Sequence, residues 1–239
     1  RPSAMTLLII ILLPLLAGAA GTLLVQRRGF SAAAWAVAVP TAISLMLLVH
    51  EAPAIFAGDK LVVTWPWLPE LGLNLSFRLD GLGFMFALLI LGIGLLIVLY
   101  TRYYLAPKDR IGRLYALLMF FMTAMLGIVL SENVLLLVMF WELTSLASFL
   151  LIGFRTDSAL ARQGARKAFA VTSGGGLALL AGVLLIGNMV ESFELSTWFS
   201  AREAIQSHSR FYVALALILL GAFTKSAQFP FHFWLPAAM

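Results

Sequence analysis

Leu135-Leu136-Leu137-Val138-Met139-Phe140-Trp141-Glu142-Leu143-Thr144 is the stretch whose reading decides the fold. It sits in an apolar run over 133–154, and a helix of about 20 such residues crosses the roughly 30 Å of a bilayer's hydrocarbon. Glu142 lies about ten residues from either end, which at about 1.5 Å per residue puts it near the midplane. A charged acid there costs a few kcal/mol, about 2.5–3.5 on the lenient insertion scale. It therefore has to face protein, water or a counter-charge. Thr144, Ser145 and Ser148 follow it and are residue types that hydrogen-bond between packed helices. Read blandly, Glu142 ties two helices together; read functionally, it carries charge. The residues alone leave both open.

The rest of the chain surrounds this run with others like it. Of 239 residues, 62% are hydrophobic and only 11% charged, against about 25% charged in a soluble domain. A water-facing fold cannot hide that much apolar surface, so lipid is part of the solvent. Further spans read over 5–25, 32–50, 79–103, 112–130, 165–189 and 211–229, making seven. The basic residues divide unevenly between the two sides. Arg27, Arg28, Arg102, Lys108, Arg110, Arg113, Arg155, Arg162, Arg166 and Lys167 follow odd-numbered spans, whereas Arg1, Lys60, Arg78, Arg202 and Arg210 lie opposite. The positive-inside rule then sets the N-terminus outside. A net charge of +5 thus reflects topology rather than a nucleic-acid face. Arg1-Pro2-Ser3-Ala4 before Met5 reads as a vector scar, residues 5–239 as the membrane domain, and the first apolar run as a retained helix rather than a cleaved signal.

On the outer side, Leu61–Trp67 and Leu73–Leu79 flank Pro69-Glu70-Leu71-Gly72 and predict a small β-hairpin. Residues 190–210, with Ser196-Thr197-Trp198 and Arg202-Glu203, predict a short interfacial helix. Trp65, Trp67 and Trp198 suit the headgroup zone.

A second misplaced charge is Lys225, which follows the apolar stretch Phe211–Phe223 and stands about 22 Å along the helix from Arg210. Pro230 lacks a backbone donor and obstructs the carbonyl of Ser226, so the helix breaks just after the lysine. Broken helices at depth line polar cavities and mark transporter sites. The bland alternative ends the span at Phe229 and lets Lys225 snorkel to the cytoplasmic headgroups. His232 lies one or two turns beyond, either a packing residue or a proton relay by virtue of its near-neutral titration, while His50 and His208 fall at outer span ends. A buried lysine loses proton affinity by desolvation and regains it beside a carboxylate. A Glu142–Lys225 pair that tightens and loosens would therefore load and release a proton.

Gly174-Gly175-Gly176 lies inside a span and lacks the Gly-Lys-Ser/Thr of a phosphate loop, so it reads as a close-packing site. With no cysteine, no metal-ligand cluster, no haem-type histidine pair and no nucleophile–base arrangement, the sequence predicts no cofactor, no metal and no enzyme chemistry.

At these residues the chain resembles the antiporter-like subunits shared by respiratory complex I, membrane-bound hydrogenases and Mrp-type cation/proton antiporters. Phe140-Trp141-Glu142-Leu143-Thr144-Ser145 and Lys225-Ser226-Ala227-Gln228-Phe229-Pro230-Phe231-His232-Phe233-Trp234-Leu235-Pro236 carry the resemblance, joined by Asp80-Gly81-Leu82 and Arg166-Lys167-Ala168-Phe169. Tyr103-Tyr104-Leu105, Leu130-Ser131-Glu132-Asn133, Ser148–Phe154 and Gly175–Leu180 look closest to the large A subunit of Mrp antiporters; Ala237 departs from the polar residue expected there. The resemblance implies an all-α core of fourteen helices in two inverted repeats, each with a broken helix. It implies a proton half-channel carried by Glu142 and Lys225, with His232 near the path and Pro230 at the break. It further implies small membrane subunits as partners, protons and Na⁺ (or K⁺ or Li⁺) as cargo, and a bacterial inner membrane. Met239 then falls mid-motif, so the chain reads as the N-terminal part of a longer protein that does not transport alone. A proton-pumping subunit of a redox complex is the alternative, and a purely structural scaffold the third reading.

Overall fold

The computed structural model describes residues 4–104 and 110–238. Residues Arg1–Ser3, Leu105, Lys108, Met239 and the side chains of Arg27 and Arg28 lie outside the described residues. The elements are α1 (Ala4–Arg28), α2 (Phe30–His50), α3 (Ala52–Phe56), β1 (Leu61–Leu68), β2 (Leu73–Leu79), α4 (Gly81–Tyr104), α5 (Ile111–Leu130), α6 (Val134–Ile152), α7 (Ala159–Val190), α8 (Leu195–Ser200), α9 (Arg202–Ser207), α10 (Phe211–Lys225) and α11 (Trp234–Ala238). Among the described residues six helical segments are long and apolar enough to cross a membrane, and α10 is a shorter apolar helix. The hairpin forms as predicted, its strands joined by a 3₁₀ turn at Pro69–Leu71 and by Gly72, whose φ of 66° is the left-handed conformation glycine adopts freely.

The chain divides into two compact units, one of Arg1–Val63 with Phe77–Leu130 and one of Thr64–Ser76 with Ser131–Met239. In the first, α1 lies along α2 and α5, and α4 packs on α2 and α5. Small residues set the approach, because a Cβ at Gly18 would come within 2.8 Å of the Met119 Cβ and one at Gly21 within 2.7 Å of Val37. Thr22 shares its hydroxyl between the carbonyls of Gly18 (2.9 Å) and Gly112 (3.0 Å), a side chain binding across helices. Asp80 caps α4, accepting from the Gly83 amide at 2.9 Å and from Arg78 at 2.7 Å. Burial works against its charge, but the Gly83 amide and the Arg78 guanidinium outweigh it and hold the carboxyl below the usual range.

In the second unit α7 packs against both α6 and α10, and α11 returns to α7. Asn133 caps α6, its Oδ1 accepting from the amides of Leu135 and Leu136. Its Nδ2 donates to the Gly72 carbonyl (2.8 Å) and to Glu194 Oε1 (2.9 Å), and Asn74 and Ser76 donate to the same oxygen. Glu132, only 2% exposed, accepts from the Ser196 amide. Glu132 and Glu194 turn inward, tying the hairpin and α8 to the start of α6.

Two span limits and one outer segment need correcting. The sixth span begins at Ala159, not 165, so Arg162 rides the first turn of the same helix as Arg166 and Lys167 rather than a loop. Hydropathy misses the polar stretch around Arg162 and Gln163, whereas the Ser158 hydroxyl capping the Ala161 amide marks the true start. The seventh helix ends at Lys225, not 229, because Ala227 adopts the left-handed conformation (φ 53°) and the Gln228 amide closes on the Phe223 carbonyl. The segment 190–210 forms two short helices, α8 and α9, rather than one.

Candidate functional site

The site is built where α6, α7 and α10 meet. Lys225 is the last residue of α10, half-buried, and its side chain crosses to α6. The ammonium has three donors. They reach Thr144 Oγ1 at 2.7 Å, Ser145 Oγ at 2.8 Å and the Trp141 carbonyl at 3.3 Å. The Thr144 hydroxyl donates its own hydrogen bond to the Trp141 carbonyl at 2.7 Å, leaving its lone pairs for the lysine. The Trp141 ring lies 5.3 Å from Nζ, within cation–π range. Residues 141, 144 and 145 share one face because a helix repeats every 3.6 residues. The sequence singled out Thr144 and Ser145 as residues that hydrogen-bond between helices; what it missed is that they accept from the lysine.

Glu142 occupies the adjoining face. Its carboxylate makes no ion pair with Lys225 within 4.0 Å, although the two charges lie close enough to act on each other. Instead it lies against α7 at Gly176, where an added Cβ would fall on Oε1. That oxygen is buried and has no hydrogen-bond partner, and the same holds for Ser173 Oγ and Trp141 Nε1. The structure thus brings Glu142 and Lys225 to one turn of α6 without joining them.

The helix break lies beside the lysine. Ser226–Phe229 leave the helix, Phe229–Pro230 is a cis peptide, a 3₁₀ turn covers Phe231–Phe233, and α11 follows. The Trp234 indole donates to the Thr224 carbonyl at 2.9 Å, satisfying one acceptor that the break exposes. His232 is exposed and stacks on Phe229 with ring centroids 5.8 Å apart; it is not among the hydrogen-bond partners of Lys225. His50 and His208 are exposed as expected. Among the described residues no cluster of three or more metal-ligating side chains occurs.

Membrane-length helices together with a charge-bearing broken helix define a class, the polytopic membrane proteins built on a discontinuous helix. The comparisons narrow the class. Residues 131–239 match the family described as NADH:quinone oxidoreductase/Mrp antiporter, transmembrane, and residues 65–115 match that described as the N-terminus of NADH-ubiquinone oxidoreductase (complex I) chain 5. The chain belongs to this antiporter-like family and aligns with the N-terminal part of the large A subunit of Mrp antiporters. It is 47% identical over 214 residues to the A/B subunit of a probable K⁺/H⁺ antiporter of Rhizobium meliloti, covering 90% of this chain and 21% of that protein. Over 183 residues it is 47% identical to the A1 subunit of a Na⁺/H⁺ antiporter of Staphylococcus aureus, covering 77% and 23%. Its fold superposes on a chain of the Mrp complex from Dietzia with a TM-score of 0.85 at 33% identity, over 98% of this chain and 25% of that one. A chain of an archaeal membrane-bound sulfane sulfur reductase gives a TM-score of 0.81 at 25% identity, over 96% and 35%. The chain thus spans about a fifth of the curated relatives' length.

Proposed function

We propose that this chain supplies one proton half-channel of a multi-subunit monovalent cation/proton antiporter, as a component of a transporter rather than an enzyme. The observation that carries the reading is the seating of Lys225, at a helix break, on two hydroxyls of the helix that bears Glu142. A charge in the membrane interior is tolerated where it serves a pathway, and broken helices hold ion sites in transporters. The Lys225 ammonium rests on its hydroxyl seat until a side-chain swing brings it to Glu142. There Nζ gives up a proton, the carboxylate accepts it, and both groups leave as neutral species. Glu142 and Lys225 act as relay groups, with His232 receiving protons at the exposed end beyond Pro230. Residues 5–239 form the membrane domain, with the N-terminus outside a bacterial inner membrane, other small membrane subunits as partners, and Na⁺ or K⁺ as the exchanged ion. The names of the 47%-identical relatives support this reading.

The test is dye-quenching of a pH gradient in everted vesicles carrying the complete complex. Addition of Na⁺ or K⁺ dissipates the gradient in wild type, and Glu142→Gln and Lys225→Ala each abolish that response while the complex still assembles. Wild-type exchange in either variant refutes the reading. The structural likeness to a chain of a respiratory reductase complex favours one alternative, a redox-driven proton pump. Proton movement that requires an electron donor and ignores added cation selects it.

A further inference from the structure

The triglycine of α7 is a sequence feature that the proton path so far leaves unused. Its three positions face three different surroundings. An added Cβ at Gly174 would meet open space; at Gly175 it would meet the side chain of Thr224, the residue before Lys225; at Gly176 it would fall on the carboxyl group of Glu142. The carboxyl therefore fills the volume that any side chain at 176 would occupy. Ser173 stands one turn earlier on the same face. Neither Ser173 Oγ nor Glu142 Oε1 has a partner within hydrogen-bond distance, and both are buried.

We infer that Gly176 is a positioning residue for proton transfer, its bare backbone forming a notch that holds the Glu142 carboxyl against α7 beside Ser173 and off the hydroxyl seat of Lys225. This rests on the proposed function, because it assigns a resting place to a group that reading makes a relay. The notch separates the two charges in the resting state, so that proton transfer needs a swing of Glu142 out or of Lys225 across. A buried carboxyl oxygen and a buried hydroxyl left unpaired are costly.

The experiment measures cation-driven dissipation of the pH gradient in everted vesicles with the complete complex, for Gly176→Ala on two backgrounds. On the native background the added methyl displaces the carboxyl, and exchange falls about tenfold or more, as misplacing a reacting group by an ångström does. On the Glu142→Asp background the carboxyl is already withdrawn by one methylene, about 1.5 Å, so the same alanine costs less than about twofold, a non-additive cycle. Gly174→Ala leaves exchange unchanged. Gly175→Ala, which meets Thr224 instead, costs the same on both backgrounds. If Gly176→Ala alone fails to assemble, assembly returns in the double variant. The inference is overturned if Gly176→Ala exchanges at the wild-type rate, if it costs equally on both backgrounds, or if neither variant assembles. Wild-type exchange in Glu142→Gln instead removes the proposed function itself, whereas an inactive Glu142→Gln beside an indifferent Gly176→Ala removes only the notch.

Discussion

Replacing Thr144 by valine and Ser145 by alanine tests the lysine seat most directly. Valine keeps the shape of the fully buried Thr144, so the change removes hydrogen-bond acceptors and little volume. Two of the three ammonium donors lose acceptors now at 2.7 and 2.8 Å. A hydrogen bond to a charged group is worth about 1.5–3 kcal/mol, so the seat loses about 3–6 kcal/mol. The Trp141 carbonyl and ring hold the lysine before and after the change and so offset none of this loss. Even the smallest loss exceeds about 1.4 kcal/mol, the equivalent of a tenfold change in occupancy, and a mid-range loss reaches a hundredfold or more. Lys225 then turns to the nearby carboxylate, where an ion pair at about 4 Å in a medium of effective dielectric 20 gains about 4 kcal/mol before desolvation. The lysine is trapped on Glu142, and cation-driven dye dequenching in everted vesicles falls toward the Lys225→Ala level. Ser148→Ala, on the same helix but outside the seat, keeps the wild-type response. An exchange rate within about twofold of wild type in the double variant shows that the hydroxyls do not contribute to the cycle.

Three further outcomes are expected. Asn133→Ala removes the cap of α6 and a ligand of Glu194, and lowers the thermal midpoint of the purified complex by an amount equivalent to about 1–2 kcal/mol; an unchanged midpoint refutes the assignment. Ala227→Gly relieves the left-handed strain after α10, about 1 kcal/mol, and raises the midpoint; a lower midpoint shows that the methyl packs usefully. For Asp80 the folded carboxyl titrates below its unfolded value, so its contribution is full above about pH 4 and is lost as pH falls through the folded value. The pair is partly exposed, so screening keeps that contribution under about 1 kcal/mol. The midpoint gap between wild type and Asp80→Asn narrows on acidification, and a gap that widens contradicts the sign.

Much of this was legible from residue order because the bilayer imposes rules on it. Membrane-length helices, the hairpin around Pro69–Gly72 and the break after Lys225 each rest on a local signal: an apolar run, a turn sequence, a proline lacking its N–H. Boundaries at charged helix ends were less legible. Arg162 looks like a loop residue to a hydropathy count, yet its helix begins at a serine cap. The inward turn of Glu132 and Glu194 carried no local signal, since their partners lie on the hairpin tip and on neighbouring loops far along the chain.

Sequence by itself determined that Glu142 needs protein, water or a counter-charge around it, because charge near the middle of the hydrocarbon is costly, and it left Lys225 either buried or reaching the headgroups. Tertiary structure alone decided who their neighbours are. It gave Lys225 two hydroxyls and a carbonyl rather than the carboxylate, and gave Glu142 the bare backbone of Gly176. Those choices turn on how α7 wedges against α6 and α10, and on side-chain contacts between residues tens of positions apart, which no periodicity encodes.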